Sequence, residues 1–210
     1  MKQIYFLFFF LFLSFCFSQK SKKDTIQLDE TILYDKRKFK LKRIGPETTS
    51  KLVCLQFPTV QDSVKWNKLK IESLTFVNAP KKNFTIKSIN LNFSFPPKKE
   101  SVVFNLKLYK ANKNEPIDTI FYEKKGIVIH PENIENQIFK IDLTEEKINY
   151  NDEFYVGIFI PKRLEDEFVC LSGVVMSNGY NRNITSGGGF EKNVLGMKPS
   201  INADLLIEKK

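Results

Sequence analysis

Few side chains in this 210-residue sequence are of the types that carry catalysis. His130 is the only histidine, and it stands at the end of an apolar run, just before Pro131. A Ser-His-Asp or Cys-His arrangement would have to use it. The chain contains no G-x-S-x-G, H-E-x-x-H or C-x-x-C motif. We therefore predict no catalytic residue, no metal site and no cofactor, and we interpret His130 as a surface residue.

Paired carboxylates are the remaining route to an enzyme, because they hydrolyse glycosides without any histidine. The acidic clusters are Asp152-Glu153 and Glu165-Asp166-Glu167. Both stand at apparent turns, where acidic residues are common, and neither has the spacing of an EF-hand calcium loop. A carboxylate-based glycoside hydrolase is therefore the enzymatic alternative to a chain with no enzymatic activity.

Side chains that could bind a sugar or a protein are grouped in residues 177–200, a Gly/Asn-rich stretch that we predict to be a long connection. Gly187-Gly188-Gly189 lacks the Lys-Ser/Thr ending of a phosphate loop, so a flexible loop is expected there. Long loops of this kind are often functional. The candidate ligand-binding residues are Tyr180, Arg182 and Phe190, with Trp66 as a further candidate that could equally pack in the core.

The basic balance, with 33 Lys and Arg against 24 Asp and Glu, does not indicate a nucleic-acid partner. Only four of the basic residues are arginines, and the lysines are spread along the whole chain. Proteins that read duplex DNA depend heavily on arginine and concentrate their charge on one face. A Lys-rich, solvated surface is the expected outcome.

The N-terminus has the pattern of a secretory signal peptide. Lys2 precedes the apolar run 4–17, and Ser18 offers a small residue for cleavage. The run is shorter than the ~20 residues of a membrane-spanning helix, so cleavage near Ser18 is favoured over retention as an anchor. The mature chain is then expected to have no membrane span. It would reside in the periplasm, on the outer-membrane surface or outside the cell.

Three cysteines bear on this interpretation. Leu13-Ser14-Phe15-Cys16 resembles a lipobox, but bulky Phe15 stands where a small residue is needed, so lipidation of Cys16 is the disfavoured variant. Cys54 and Cys170 remain in the mature chain, each inside an apolar run. In an oxidising compartment they could form a disulfide, or they could be two separate buried thiols.

Alternation of apolar and polar residues, the signature of half-buried strands, begins at residue 51. No helical pattern of ten residues accompanies it; the one hint, residues 144–147, is too short to stand alone. One-sided strands predict antiparallel sheets with one wet face, and two such sheets bury both apolar faces when packed together. The predicted strands are 53–57, 71–77, 89–95, 102–109, 127–129, 139–143, 154–160, 168–176 and 201–207.

These patterns divide the chain into a signal peptide (1–18), an extended or partly disordered basic leader (19–50) and one β-sandwich domain (51–210). The fold class is all-β, an antiparallel two-sheet sandwich. The side chains expected to point into its core are Phe93, Phe104, Leu106, Ile141, Val156 and Ile158.

Several short motifs also resemble the β-sandwich domain of uncharacterised exported proteins of Bacteroidetes. They are residues 104–110 (FNLKLYK), 116–118 (PID), 139–143 (FKIDL) and 154–158 (FYVGI). The leader 27–34 is similar to the segment that follows a carboxypeptidase-like regulatory domain in such proteins, and that regulatory domain is missing here. The resemblance implies a jelly-roll-like sandwich at the cell envelope or outside the cell, and it supplies no catalytic residue.

Together, the residues and the resemblance predict an exported, non-enzymatic β-sandwich that binds a glycan or an envelope protein. A glycoside hydrolase and a purely structural surface-assembly protein are the alternatives. The oligomeric state and the identity of the ligand are left open at this point.

Overall fold

The structure is a computed structural model that describes residues 38–56, 71–161 and 169–209. Within these ranges the regular elements are strands, with two single 3-10 turns at Pro131–Asn133 and Val194–Gly196 and no α-helix. The strands are β1 (Phe39–Ile44), β2 (Cys54–Gln56), β3 (Ile71–Val77), β4 (Phe84–Phe95), β5 (Val102–Asn112), β6 (Glu115–Ile129), β7 (Ile138–Asp142), β8 (Ile148–Tyr150), β9 (Phe154–Phe159), β10 (Cys170–Val174), β11 (Gly179–Asn183), β12 (Phe190–Lys192), β13 (Lys198–Pro199) and β14 (Ile201–Glu208).

Two antiparallel sheets make up the described part of the molecule. The first has the order β1-β14-β4-β10-β13, with β2 also paired to β10 and with β7 and β8 paired to β4. The second has the order β12-β11-β3-β9-β5-β6. The two sheets pack face to face, which confirms the predicted all-β, two-sheet sandwich. No helix in the described ranges is long and apolar enough to cross a membrane.

The core lies between the sheets and contains the residues that the alternation predicted. All six expected core side chains are at most 4% exposed. Phe93 of the first sheet meets Phe104 of the second edge to face, with ring centroids 6.5 Å apart. Offset and edge-on ring pairs of this kind stabilise a core beyond the area they bury. The inward faces are therefore as predicted.

The outward face of β4 was expected to be wet, and this expectation is wrong. Asn90, Asn92 and Ser94 alternate with the core residues and yet are at most 1% exposed. Residues 45–53, here named the covering segment, cross this face and accept its hydrogen bonds. The Pro46 carbonyl accepts from Asn92 and from Asn202 of β14, and the Ser50 carbonyl accepts from Ser94. The polar row is buried because the chain itself supplies its partners.

The covering segment continues from β1, which lies inside the predicted leader. β1 pairs with β14 along its full length, from Phe39 opposite Glu208 to Ile44 opposite Ala203. Arg43 donates from Nε and Nη2 to both oxygens of Asp204, at 2.7 and 3.0 Å. The C-terminal part of the leader is thus an edge strand of the first sheet. The predicted signal peptide and the rest of the leader lie outside the described residues.

Residues 177–200 do not form the long loop that we predicted. β11 and β12 form a hairpin, and β11 adds to β3 from Gly179 opposite Thr75 to Asn183 opposite Ile71. Gly187-Gly188-Gly189 stand in the connection of this hairpin. The first residue of β11, Gly179, has to be a glycine, because a Cβ atom there would stand 1.9 Å from the Met197 carbonyl oxygen. Non-local pairing with β3 therefore orders a stretch whose composition is typical of a loop.

Candidate functional site

The three candidate ligand-binding residues of the hairpin lie together on the outer face of the second sheet. Tyr180 is opposite Leu74, and Arg182 is opposite both Glu72 and Phe190 in the strand register. Tyr180 is only 8% exposed and meets Tyr155 edge to face. The Arg182 guanidinium lies 5.1 Å from the centroid of the Phe190 ring. Trp66 lies outside the described residues.

The second sheet curls strongly around this group. Arg182 of β11 forms a bidentate ion pair with Asp118 of β6, at 2.6 and 3.2 Å. These strands are four positions apart in the sheet, which would be about 19 Å in a flat sheet. Two side chains cannot span that gap unless the sheet bends. Phe190 of β12 likewise reaches Tyr109 of β5, with ring centroids 5.3 Å apart.

A buried carboxylate lies beneath these contacts. Glu72 is fully buried, and its Oε2 accepts a hydrogen bond of 2.8 Å from the Tyr109 hydroxyl. Its Oε1 has no hydrogen-bond partner in the part of the chain that the structure describes. Burial raises the pKa of Glu72 above its ordinary value, against the lowering effects of the Tyr109 hydrogen bond, Lys107 and Arg182. Gly157 leaves the space for this pair, since a Cβ atom there would lie 2.9 Å from both side chains.

The curled face is consequently a second small core, built of Leu74, Tyr109, Tyr155 and Tyr180, with Phe190 packed against it. The aromatic and cationic groups of the hairpin contact one another and the chain itself. These contacts join distant strands of the second sheet and so stabilise its bend. Their role as a ligand surface stays a prediction.

Cys54 and Cys170, whose pairing the sequence left open, are joined by a disulfide, with their Cα atoms 5.7 Å apart. β2 and β10 are neighbours, and Ser172 lies opposite Cys54 in the register. The bond thus crosses the two strands diagonally. It closes a sequence separation of 116 residues.

His130 has one side-chain partner, the hydroxyl of exposed Ser101, at 2.6 Å from its Nδ1. In the described ranges no carboxylate contacts the other ring nitrogen, so the third member that orients a catalytic histidine is not in place there. Asp152 caps the backbone N–H of Glu153 at a turn. The acidic cluster 165–167 lies outside the described residues. Within those described, no three His, Cys, Asp or Glu side chains are grouped as a metal site would require.

A groove of about 560 Å³ opens at the end of the first sheet where β1 and β4 begin and β8 and β14 end. This volume lies within the ~300–1,000 Å³ that small-molecule sites commonly have. Strands β1, β4, β8 and β14 supply its walls. Thr85 of β4 lies opposite Leu206 of β14 on one side and opposite Asn149 of β8 on the other. The lining residues are Phe39, Asn83, Phe84, Thr85, Asn149, Tyr150, Asn151, Leu206 and Glu208.

The groove combines aromatic rings with side-chain amides. Tyr150 is fixed by a parallel stack on Phe121, with centroids 4.2 Å apart, and by an edge contact with Phe84. The Thr85 hydroxyl donates to Asn149 Oδ1 at 2.7 Å. The amides of Asn83 and Asn151 are exposed and have no hydrogen-bond partner among the described residues. Phe84 is 3% exposed and packs in the core. The apolar ring surface beside these donors and acceptors therefore comes from Phe39 and from the part of Tyr150 that its neighbouring rings leave open.

Glu208 is the single carboxylate among the residues that line the groove. Glycoside hydrolysis by two carboxylates needs a pair about 5–9.5 Å apart across the bond. The described lining residues therefore do not supply the carboxylate pair of such a site.

Sequence reasoning missed this groove because its residues come from four strands far apart in the chain. The only local signal is Asn149-Tyr150-Asn151, an aromatic residue between two amides. No protein-family model, curated protein or solved structure matches this chain.

Proposed function

We propose that this chain is an exported, non-enzymatic β-sandwich protein that binds a glycan at the cell envelope, with the groove between β1, β14, β4 and β8 as its binding site. The observation that carries the proposal is the composition of the groove. A sugar ring presents C–H groups on its face and hydroxyls around its edge. Aromatic rings with negative faces suit the C–H groups, and the amides of Asn83, Asn149 and Asn151 suit the hydroxyls.

Export is supported by three independent features. The N-terminal pattern is that of a signal peptide, and the motifs described above resemble exported proteins. The Cys54–Cys170 disulfide is of a kind that persists in oxidising compartments and is rare in the cytosol.

The test is a glycan array probed with the mature chain, followed by calorimetric titration of the ligands found. The double variant Asn83→Ala/Asn151→Ala removes exposed amides that make no hydrogen bond among the described residues, so it should fold normally. We expect it to bind at least about tenfold more weakly, because a site built to bond hydroxyls loses those partners.

Asn112→Ala is the matched control, since Asn112 is an exposed asparagine of β5 remote from the groove in the sheet order. It should leave affinity unchanged. Binding that is the same in the double variant and in the control would move the site elsewhere. An array with no bound glycan, obtained with folded protein, would reject the proposal.

A further inference from the structure

The groove does not end at its aromatic part. A depression of about 500 Å³ adjoins it and shares Asn83, Asn151 and Glu208 with it. A third, of about 250 Å³, shares Lys82 and Lys209 with the second. The three adjoin one another around the end of the first sheet, and Lys40 and Lys42 of the third project from the side of β1 opposite to Phe39 of the first.

The charge of this surface is one-sided. Five lysines line the two outer depressions, and Glu208 is the only carboxylate among the lining residues. The whole chain carries 33 basic to 24 acidic residues, so a ratio of five to one exceeds the general excess of lysine. These lysines, here named the basic rim, are Lys40, Lys42, Lys81, Lys82 and Lys209.

The rim lysines of β1 and of the turn between β3 and β4 also lack ion pairs within the described residues, as Lys110 of β5 and Lys113 of the turn after it do. On the second sheet, Lys124 pairs with Glu146 at 2.6 Å and Lys125 with Glu123 at 3.5 Å. The charges of Lys40, Lys42, Lys81 and Lys82 are, within the described residues, left uncompensated next to the groove.

Three separate elements bring these charges together. Lys40 and Lys42 stand two residues apart on β1, so they project on the same side of the strand. Lys81 and Lys82 occupy the turn between β3 and β4, which is closed by a 2.8 Å bond from the Lys82 N–H to the Pro80 carbonyl. Lys209 follows β14, and its N–H bonds to the Lys38 carbonyl at 2.7 Å. The fold thus concentrates like charges, which costs stability through their repulsion unless an anion neutralises them.

From this we infer that the ligand of the groove is an anionic saccharide, one that carries carboxylate, sulfate or phosphate groups; the inference rests on the proposed function. The uncharged sugar ring packs in the aromatic part, and its anionic groups lie over the basic rim. Lysine suits this role because it binds such groups as a point charge with flexible reach.

The first experiment compares matched oligosaccharides that share one backbone and differ only in anionic groups, for example a neutral chain and its sulfated form. We expect the anionic form to bind at least about tenfold more tightly at low salt, and the preference to shrink as ionic strength rises. Inorganic sulfate and vesicles of anionic lipid serve as additional probes of the charge alone and of a lipid headgroup.

The second experiment uses the triple variant Lys40→Gln/Lys42→Gln/Lys82→Gln and a control of equal charge change, Lys110→Gln/Lys113→Gln/Lys125→Gln. All six lysines are exposed. The rim variant should lose the anionic preference while keeping its affinity for the neutral chain. The control should keep both.

The outcomes separate the two proposals. Equal binding of neutral and anionic chains overturns the inference and leaves glycan binding in place. Failure of every saccharide to bind overturns both. Rim-dependent binding to anionic vesicles without saccharide binding assigns the rim to a lipid headgroup and also overturns the inference, whereas a rim-dependent preference for the anionic chain supports it.

Discussion

At the scale of single residues, Glu72 is a carboxyl group shielded from water. It is fully buried, one of its oxygens has no hydrogen-bond partner among the described residues, and the other accepts from Tyr109. A buried carboxylate that lacks a direct cationic partner favours its protonated form. The folded chain therefore holds a proton at Glu72 at pH values where the unfolded chain has released it.

This proton links stability to pH. The ordinary pKa of Glu72 is 4.5, and burial raises it in the folded state. The contribution of the protonated Glu72 to the free energy of unfolding is therefore fully present below pH 4.5 and is lost as the pH rises through the raised pKa. One proton changes the free energy of unfolding by at most about 1.4 kcal/mol per pH unit. Urea unfolding of the wild type and of Glu72→Gln from pH 4 to 8 should show this decline in the wild type alone.

The difference between the two curves isolates Glu72, because the other titrating groups are common to both proteins. Glu145→Gln, at an exposed position, should run parallel to the wild type. Parallel curves for Glu72→Gln as well would show that Glu72 has the same pKa in the folded and in the unfolded chain, which contradicts the prediction.

At the scale of elements, the bend of the second sheet depends on contacts between its two ends. Arg182 and Asp118 connect β11 with β6, but the Asp118 side chain is 65% exposed. Water screens such a pair, so a double-mutant cycle with Arg182→Ala and Asp118→Ala should give a coupling energy of about 0.2–1 kcal/mol. Glu123 of β6 pairs with Lys125 instead, and a cycle of Arg182→Ala with Glu123→Ala should give none. A null coupling for Arg182 and Asp118 would mean that the aromatic contacts alone maintain the bend.

The disulfide joins two neighbouring strands of the first sheet. It ties β2 to β10 across a separation of 116 residues, for which the chain-entropy model gives about 4–5 kcal/mol of stabilisation. The double variant Cys54→Ser/Cys170→Ser should unfold at a lower urea concentration than the wild type. Its free energy of unfolding should be smaller by about 2–5 kcal/mol. Reducing agent should have the same effect on the wild type and none on the variant. A wild type that is insensitive to reductant and carries two reactive thiols when denatured would show that the bond does not form.

Sequence reasoning succeeded where the cause of a structure is local and failed where the cause is a contact between distant parts of the chain. β3 lies where the alternation placed it, at Ile71–Val77, and all six expected core residues are buried, because the period of two is a local property of the chain. β11 and β12 were missed because Gly, Asn and Arg carry no strand signal; pairing with β3 decides their conformation. The burial of Asn92 and Ser94 was missed since only the fold shows that the covering segment crosses them.

At the scale of the whole molecule, the groove lies at the end of the first sheet, where the covering segment leaves the outer face open. The segment bonds Asn92 and Ser94 through its Pro46 and Ser50 carbonyls, and so covers the C-terminal half of β4. The N-terminal half, around Thr85, remains uncovered and lines the groove. The same N-terminal portion of the chain that buries one half of this face also supplies β1, a wall of the groove on the other half.

This arrangement predicts that β1 is dispensable for the core and required for the ligand. A chain that begins at residue 45 lacks Phe39, Lys40 and Lys42 but keeps the covering segment and both cysteines. It should fold with the same strands apart from β1 and be destabilised by about 3–5 kcal/mol or more, because Asp204 loses its partner Arg43 and β14 loses the strand that pairs with it. Affinity for the anionic saccharide should fall at least about tenfold relative to a chain that begins at residue 38. Circular dichroism, urea unfolding and calorimetric titration of the two chains measure these effects, and size-exclusion chromatography checks for association through the newly exposed edge of β14. Equal affinity in the two chains would remove β1 from the binding site.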